Sequence, residues 1–222
     1  MEKVRRYSGP IAAILILVAL MAIFLVALNY IQNSPITLYP GEVQNYEGQN
    51  LASIGEVREN AIKGTQYLNN SDYRLAINGL VDENLSLTYD EVVNGLQSYQ
   101  KVVNLYCVEG WNATILWEGV LVDDLLNQAG VNSNAVAVIF YASDGYSTSL
   151  PLDYIRNNHI LLAYKMNGLT IPPERGYPFE LVAESQYGYK WIKWVTQIEV
   201  TDNPDYRGYW ESRGYPNNAT LR

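Results

Sequence analysis

The chain has 222 residues, with 15 lysines and arginines against 23 aspartates and glutamates, so its formal net charge is −8. Hydrophobic residues make up 48 % and charged residues 17 %, a globular composition rather than a disordered one. The acidic balance argues against nucleic-acid binding, which needs a basic surface. One cysteine and one histidine exclude an internal disulfide and a cysteine-rich metal cluster, and they make a zinc site or hydrolase triad based on histidine hard to build.

An apolar run without charged or strongly polar side chains covers residues 11–28. A helix over residues 11–31, at about 1.5 Å per residue, would cross a hydrocarbon core of roughly 30 Å. A cleaved signal peptide is the alternative, but its apolar region is normally only about 7–15 residues long. Three basic residues precede the run: Lys3, Arg5 and Arg6. We therefore predict a single-pass protein of the cell membrane, with residues 1–10 cytoplasmic and everything after the helix extracytoplasmic.

A polar spacer rich in turn-forming residues is predicted over residues 32–50, including Pro35 and Pro40. About 190 residues follow the apolar helix, which is enough for one domain with its own core. Residues 51–222 contain no second linker, repeat or low-complexity stretch. They are therefore predicted to form one domain.

Short helices and several strands are predicted within that domain. The strands cover residues 73–79, 102–106, 135–141, 160–168 and 192–201, where apolar and β-branched residues cluster. A short helix begins at Thr88, which forms a capping box with Glu91, and a second covers 123–130 with Gly130 at its C-terminal end. Short helices among many strands indicate an α+β fold. The Gly-rich nucleotide loops of Rossmann or P-loop spacing are missing.

Cys107 directly follows the predicted strand 102–106. It could be an inert buried thiol, since free cysteine is among the most buried residue types. It could also supply one thiolate to a transition metal whose other ligands come from a bound cofactor. His159 follows two asparagines at a strand edge and is predicted to be a surface or capping residue.

Three segments resemble the sulfite-oxidase family of molybdopterin-dependent oxidoreductases, in its single-domain, membrane-anchored prokaryotic form. They are Cys107-Val-Glu-Gly-Trp111, Tyr146-Ser-Thr-Ser-Leu-Pro-Leu152 and Tyr187-Gly-Tyr-Lys-Trp-Ile-Lys-Trp194. The resemblance implies that residues 51–222 form a molybdopterin-binding oxidoreductase domain with mixed β-sheets and short helices. It also implies a molybdenum–molybdopterin cofactor and oxygen-atom transfer, on either a small oxyanion such as sulfite or an S-oxide.

The same resemblance assigns catalytic roles. Cys107 would ligate the molybdenum, Arg58 would face the substrate, and Tyr146 would hydrogen-bond at the active site. Asn60 would help to hold the pterin. The alternative for Arg58 is a surface salt bridge.

Further positions would bind the cofactor. Trp191, Ile192 and Lys193 match the contact segment of the family, and Lys190, Lys193 and Arg175 would supply positive charge to the phosphate of the pterin. The alternative for Lys190 and Lys193 is a solvent-exposed strand entrance.

Glu180 departs from the family, which has a phosphate-binding arginine at this position. The family also has His or Asn in place of Arg175. A carboxylate without compensation beside a phosphate would cost several kcal/mol in a partly buried site. Our hypothesis is that Arg175 takes the phosphate while Glu180 turns away or pairs with Arg175. The alternative is a membrane-tethered, non-catalytic binding module of the same fold that has lost the cofactor.

Electron transfer is predicted to need a separate partner, either a cytochrome or a membrane redox subunit. The chain has no haem-attachment motif and no further cysteines for an iron–sulfur cluster. Its acidic surface would suit a basic electron carrier.

Overall fold

The computed structural model describes the backbone of residues 8–32 and 39–221, and the side chains of residues 13–25 and 39–221. The chain divides into two compact units, Met1–Thr37 and Leu38–Arg222.

The first unit contains one helix, α1 (Ser8–Gln32). Its side chains between residues 13 and 25 are all apolar and exposed. Nowhere in the described part of the chain does a helix reach both the length and the apolar character that crossing a membrane requires. The predicted transmembrane helix over residues 11–31 is therefore not confirmed, and most of the predicted cytoplasmic segment lies outside the described residues.

The second unit begins ahead of residue 51. Strands β1 (Asn45–Tyr46) and β2 (Gln49–Asn50) form a small hairpin, and Tyr39 packs against the hydrophobic core. Residues 39–50, which the sequence assigned to the spacer, thus contact the folded domain. Residues 33–38 lie outside the described part.

The remaining strands are β3 (Leu75–Gly79), β4 (Leu85–Leu87), β5 (Tyr99–Tyr106), β6 (Asn112–Leu121), β7 (Ala137–Ala142), β8 (Ser147–Pro151), β9 (Leu161–Met166), β10 (Leu169–Thr170), β11 (Glu180–Val182) and β12 (Val195–Thr201). The helices of this unit are α2 (Tyr89–Gly95), α3 (Val122–Ala129) and α4 (Leu152–Asn157). One antiparallel sheet has the order β10-β9-β6-β5, with β11 also paired to β9. The other has the order β4-β3-β12-β7-β8 and is mixed, because β12 runs parallel to β3 and antiparallel to β7. The predicted α+β architecture of mixed sheets and short helices is confirmed.

Local signals placed several elements correctly. The hydroxyl of Thr88 accepts a bond of 3.1 Å from the backbone N–H of Glu91, whose carboxylate accepts one of 2.8 Å from the N–H of Thr88. Gly130 ends α3 in the left-handed conformation, with φ of 73°. The exposed His159 is a surface residue, as predicted.

Several strands differ from expectation, and two of the differences are large. The last strand begins at Val195 rather than at residue 192, because Trp194 has a positive φ of 53° and interrupts the extended conformation. The ten-residue β6, the longest strand in the described part of the chain, was not predicted.

Candidate functional site

A cavity of about 430 Å³ opens within the second unit. Its wall comes from six parts of the chain, namely residues 57–62, 105–111, 144–146, 174–180, 188–194 and the pair Trp210 and Tyr215. Strand ends and turns dominate this wall. The volume lies in the usual range for small-molecule sites, about 300–1,000 Å³.

Cys107 lies on this wall, where β5 ends in a tight turn. Its N–H donates to the Trp111 carbonyl at 2.9 Å, and its own carbonyl accepts from Gly110 at 3.1 Å. The thiol is half-buried, and its sulfur lies 3.9 Å from the amide nitrogen of Asn60. Burial raises the pKa of the Cys107 thiol, and the carboxylate of Glu109 adds to the effect. The thiol thus faces a cavity rather than the packed core.

Gly188 lets a second segment approach the Cys107 turn closely. A Cβ atom at this position would lie 3.3 Å from the carbonyl oxygen of Tyr106 and 3.6 Å from the Cα of Cys107. Tyr106 and Tyr187 also form an isolated parallel bridge. The segment around Gly188 is therefore docked directly against the backbone of the Cys107 turn.

Arg58 and Asn60 are brought to the same end of the cavity. They follow a 3-10 turn, Ile54–Glu56, that Ser53 caps. The positive charge of Arg58 acts to lower the pKa of the Cys107 thiol, against the larger effect of burial. Within residues 39–221 Arg58 forms no salt bridge, so the alternative of a surface ion pair does not hold.

Tyr146 lines the cavity, but its hydroxyl already has a partner. It donates to the carbonyl oxygen of Tyr189 at 2.6 Å. Burial raises the pKa of Tyr146 far above its ordinary value, so the phenol stays protonated. The ring therefore forms part of the wall, and donation to a substrate would require the bond to Tyr189 to break.

Trp191, Ile192 and Lys193, which the resemblance assigns to cofactor contact, all line the cavity. The indole N–H of Trp191 donates to the Gln186 carbonyl at 3.1 Å, which fixes the ring. The ammonium of Lys193 lies 4.4 Å from the centre of the Trp194 ring. Lys193 thus reaches the cavity as a cation above an aromatic face.

Lys190 is not part of the wall. Its ammonium is fully buried and donates to the carboxylate of Glu211 at 2.5 Å, the Ser149 carbonyl at 3.0 Å and the side-chain oxygen of Asn217 at 3.1 Å. All three of its hydrogens are occupied by protein oxygens. Neither the predicted cofactor contact nor the solvent-exposed alternative describes Lys190.

Arg175 and Glu180 both line the cavity, together with Lys193. The Nε of Arg175 donates to the Ile54 carbonyl at 3.1 Å, which leaves its other nitrogens free of protein partners in the described part. Glu180 is only 4 % exposed, and among the described residues its carboxyl group has no hydrogen bond or salt bridge. Burial raises the pKa of Glu180 to about 8, although Lys193 and Arg175 oppose the shift. Glu180 thus neither turns away from the cavity nor forms an ion pair with Arg175.

The cavity also holds residues that the sequence did not single out. Four carboxylates belong to this group: Glu59, Glu109, Asp144 and Glu174. Two aromatic residues, Trp210 and Tyr215, come from the C-terminal segment. The turn-forming pair Asp144-Gly145 was the one local signal available, because the Asp144 carboxylate accepts the Tyr146 N–H at 2.9 Å.

Comparison with known proteins identifies the family. The oxidoreductase molybdopterin binding domain matches residues 62–210. The chain is 35 % identical to the uncharacterized oxidoreductase YuiH of Bacillus subtilis, over 67 % of this chain and 75 % of that protein. It is 28 % identical to the protein-methionine-sulfoxide reductase catalytic subunit MsrP of Xanthomonas axonopodis, over 69 % of this chain and 52 % of that subunit.

A solved structure agrees with these relatives. The sulfane dehydrogenase SoxCD of Paracoccus pantotrophus superposes with a TM-score of 0.60 at 26 % identity, covering 63 % of this chain and 41 % of that one. The chain thus spans about half or less of the length of the sulfoxide reductase subunit and of this dehydrogenase.

The residues of the cavity fit the cofactor of this family. A thiol and three cationic side chains, Arg58, Arg175 and Lys193, line a space of suitable size. The carboxyl groups of the wall, above all the buried Glu180, are at odds with a phosphate. The chain belongs to the oxidoreductase molybdopterin-binding domain family, and it is a molybdenum-dependent oxidoreductase with a molybdenum–molybdopterin cofactor.

Proposed function

We propose that this oxidoreductase reduces S-oxides by oxygen-atom transfer and that Cys107 is the protein ligand to its molybdenum. One observation carries the proposal: a single cavity is lined by Cys107, Arg58 and Tyr146 together with Arg175 and Lys193. The relative whose name specifies protein methionine sulfoxide as substrate adds support.

The charge of the wall favours a neutral substrate over a sulfite-like anion. Three lining residues are cationic, namely Arg58, Arg175 and Lys193. Five carry a carboxyl group, namely Glu59, Glu109, Asp144, Glu174 and Glu180. Burial raises the pKa of Glu180 to about 8, so this one is largely neutral at pH 7. Two unit charges 4 Å apart interact by about 4 kcal/mol at the effective dielectric constant near a protein surface. A dianion would meet this repulsion on entry, whereas an uncharged S-oxide would not.

The reaction consumes two electrons and two protons. The S–O bond breaks, the sulfur is reduced to a thioether, and the oxygen leaves as water after it has taken up both protons. The bound cofactor supplies the two-electron oxygen-atom transfer chemistry. The guanidinium of Arg58, which is exposed at the thiol end, can donate hydrogen bonds to the S-oxide oxygen and orient it.

A separate redox protein must supply the electrons. Among the residues with described side chains, no group of three or more His, Cys, Asp or Glu could hold another metal ion. A cytochrome or a membrane redox subunit would serve, and the net charge of −8 favours one with a basic docking surface.

Elemental analysis tests the ligand. Wild-type protein from a host that makes molybdopterin should carry about one molybdenum per chain, and Cys107→Ser should lose most of it because a hydroxyl is a poor soft ligand. Val136→Ser places the same hydroxyl on an exposed position outside the cavity and should keep the metal. Equal molybdenum in wild type and Cys107→Ser would refute the ligand assignment.

Substrate assays test the reaction. With an artificial electron donor, the loaded enzyme should reduce alkyl and aryl S-oxides. With an artificial acceptor, it should oxidise sulfite far more slowly. Faster sulfite oxidation would contradict the proposed direction and substrate class.

We also propose that the apolar segment holds the enzyme at the cell membrane with the catalytic domain outside the cytoplasm. The support is the sequence, in which Lys3, Arg5 and Arg6 precede the uncharged run 11–28. Protease added to intact spheroplasts should digest the domain. Digestion only after lysis would place the domain in the cytoplasm.

A further inference from the structure

Two chemically distinct groups of residues, which we call the thiol end and the cation end, line the cavity. The thiol end consists of Cys107, Asn60 and Arg58. The cation end consists of Arg175, Lys193 and Glu180, because Gly176, the residue after Arg175, lies against the side chains of both Glu180 and Lys193. Both cations also act on the ionisation of Glu180. A ligand that carries both a metal centre and a phosphate monoester would place its phosphate at the cation end, because the phosphate carries up to two negative charges.

Glu180 is the unusual member of the cation end. It is 4 % exposed, it lines the cavity, and none of the described residues hydrogen-bonds or ion-pairs with its carboxyl group. Gly176 lies close to both Glu180 and Lys193: a Cβ atom at Gly176 would be 3.1 Å from the Cβ of Glu180 and 3.1 Å from the Cγ of Lys193. The two side chains therefore project from the same small area of the wall.

We propose that Glu180 makes the cation end a proton-linked anion site, in which the phosphate of the cofactor binds while Glu180 is neutral. An ionised Glu180 would repel the phosphate and partly neutralise Arg175 and Lys193. A protonated Glu180 removes that repulsion and can donate one hydrogen bond to a phosphate oxygen. Cofactor loading then weakens as pH rises. This inference rests on the proposed cofactor site.

The surrounding charges agree with this linkage. Burial raises the pKa of Glu180. Burial lowers the pKa of Lys193, and the carboxylates of Glu180, Glu59 and Asp144 oppose that change. The pKa of the Glu174 carboxyl is lowered despite burial, chiefly by the hydrogen bond that the Tyr39 hydroxyl donates to it, and the Arg175 guanidinium adds to the effect. Lys193 is thus the other group at this end that could titrate, and the experiment must separate the two.

Sulfate is a suitable probe, because it carries two charges over the whole pH range and exchanges no proton itself. Full-length protein is expressed without molybdopterin and titrated with sodium sulfate by calorimetry at about pH 7 and about pH 9.5. The affinity for sulfate should fall by about tenfold for each pH unit above the pKa of Glu180 in the anion-free protein. Titrations in buffers of different ionisation enthalpy should show that sulfate binding takes up to one proton from solution.

Three variants assign the proton. Glu180→Gln should bind sulfate with little pH dependence. Glu174→Gln removes a neighbouring carboxylate that is ionised throughout, so it should keep the dependence. Lys193→Arg keeps a cation that does not titrate and should also keep it. Loss of the dependence in Lys193→Arg, or its persistence in Glu180→Gln, would assign the proton to Lys193 and overturn the proposal.

Wild type and Lys193→Arg decide the question even if Glu180→Gln does not fold. A second arm identifies the anion: protein loaded with molybdenum and pterin should no longer bind sulfate at this end, because the phosphate occupies it. Unchanged sulfate binding after loading would indicate a site for a free oxyanion and overturn the assignment to the cofactor. The proposed function is judged separately by molybdenum content, so the two ideas can fail independently.

Discussion

The buried ion pair between Lys190 and Glu211 should be a main support of the wall that contains Tyr146. Lys190 ends the 3-10 turn Gly188–Lys190, and Glu211 opens a second such turn near the C-terminus. Tyr189, next to Lys190 in the chain, connects the same regions. Its carbonyl accepts the Tyr146 hydroxyl, and its own hydroxyl donates to the Pro216 carbonyl at 2.9 Å. The pair thus ties the cavity wall to the C-terminal segment.

Replacement of Lys190 by Met removes three hydrogen bonds and leaves a carboxylate alone in the core. Glu211 is 0 % exposed, its Oε2 already has no partner in the described part, and its Oε1 would keep only the bond of 2.7 Å from the Thr148 hydroxyl. Breaking such a pair typically costs about 3–5 kcal/mol. That is a large fraction of the roughly 5–15 kcal/mol that stabilises most domains.

Urea denaturation of apo-protein, followed by circular dichroism, measures this loss. Lys193→Met is the matched control, because Lys193 forms no hydrogen bond with a described residue and should cost less than about 1 kcal/mol. The double variant Lys190→Met with Glu211→Leu should recover much of the loss, since well-packed apolar residues often replace a buried pair without cost. If Lys190→Met lies within about 1 kcal/mol of wild type, the pair is not a structural support.

Three further predictions follow from individual residues. The folded protein holds the Glu180 proton up to a pKa of about 8, whereas an unfolded chain releases it near the ordinary value of 4.5. The melting temperature should therefore fall as pH rises from 4.5 to about 8, and Glu180→Gln should flatten this decline. An equal slope in both proteins would contradict the prediction. Gly130→Ala should lower the free energy of unfolding in urea by more than about 1 kcal/mol, because φ is 73° and the new Cβ would lie 2.6 Å from the Asp82 carboxylate. The control Gly95→Ala meets no atom within 4 Å and should leave the free energy of unfolding nearly unchanged. Trp210→Ala should raise KM for bulky S-oxides and leave molybdenum content unchanged, because this half-exposed ring lines the cavity; an unchanged KM would remove Trp210 from substrate binding.

Interactions between residues close in the sequence made parts of the fold predictable. The Thr88–Glu91 capping box spans three residues, and the hydrogen bond from Gly130 to the Leu126 carbonyl spans four. Such contacts form whatever the rest of the chain does, so the sequence identifies them. The family resemblance likewise pointed to Cys107 as the residue to place in a site, and the fold does bring it to a cavity.

The direction in which a buried polar side chain points was decided by tertiary structure. Lys190 and Lys193 lie three residues apart in one motif, yet the first is buried against Glu211 and the second reaches the cavity. The carboxylate of Glu180 could have turned to solvent, but its strand β11 pairs with β9 and holds it in the interior. The sequence by itself determined some of the local elements, the fold class and the family. Only the tertiary structure determined which charged side chains share the cavity. These side chains come from segments more than ten residues apart in the sequence, and no local sequence pattern indicates which segments will meet.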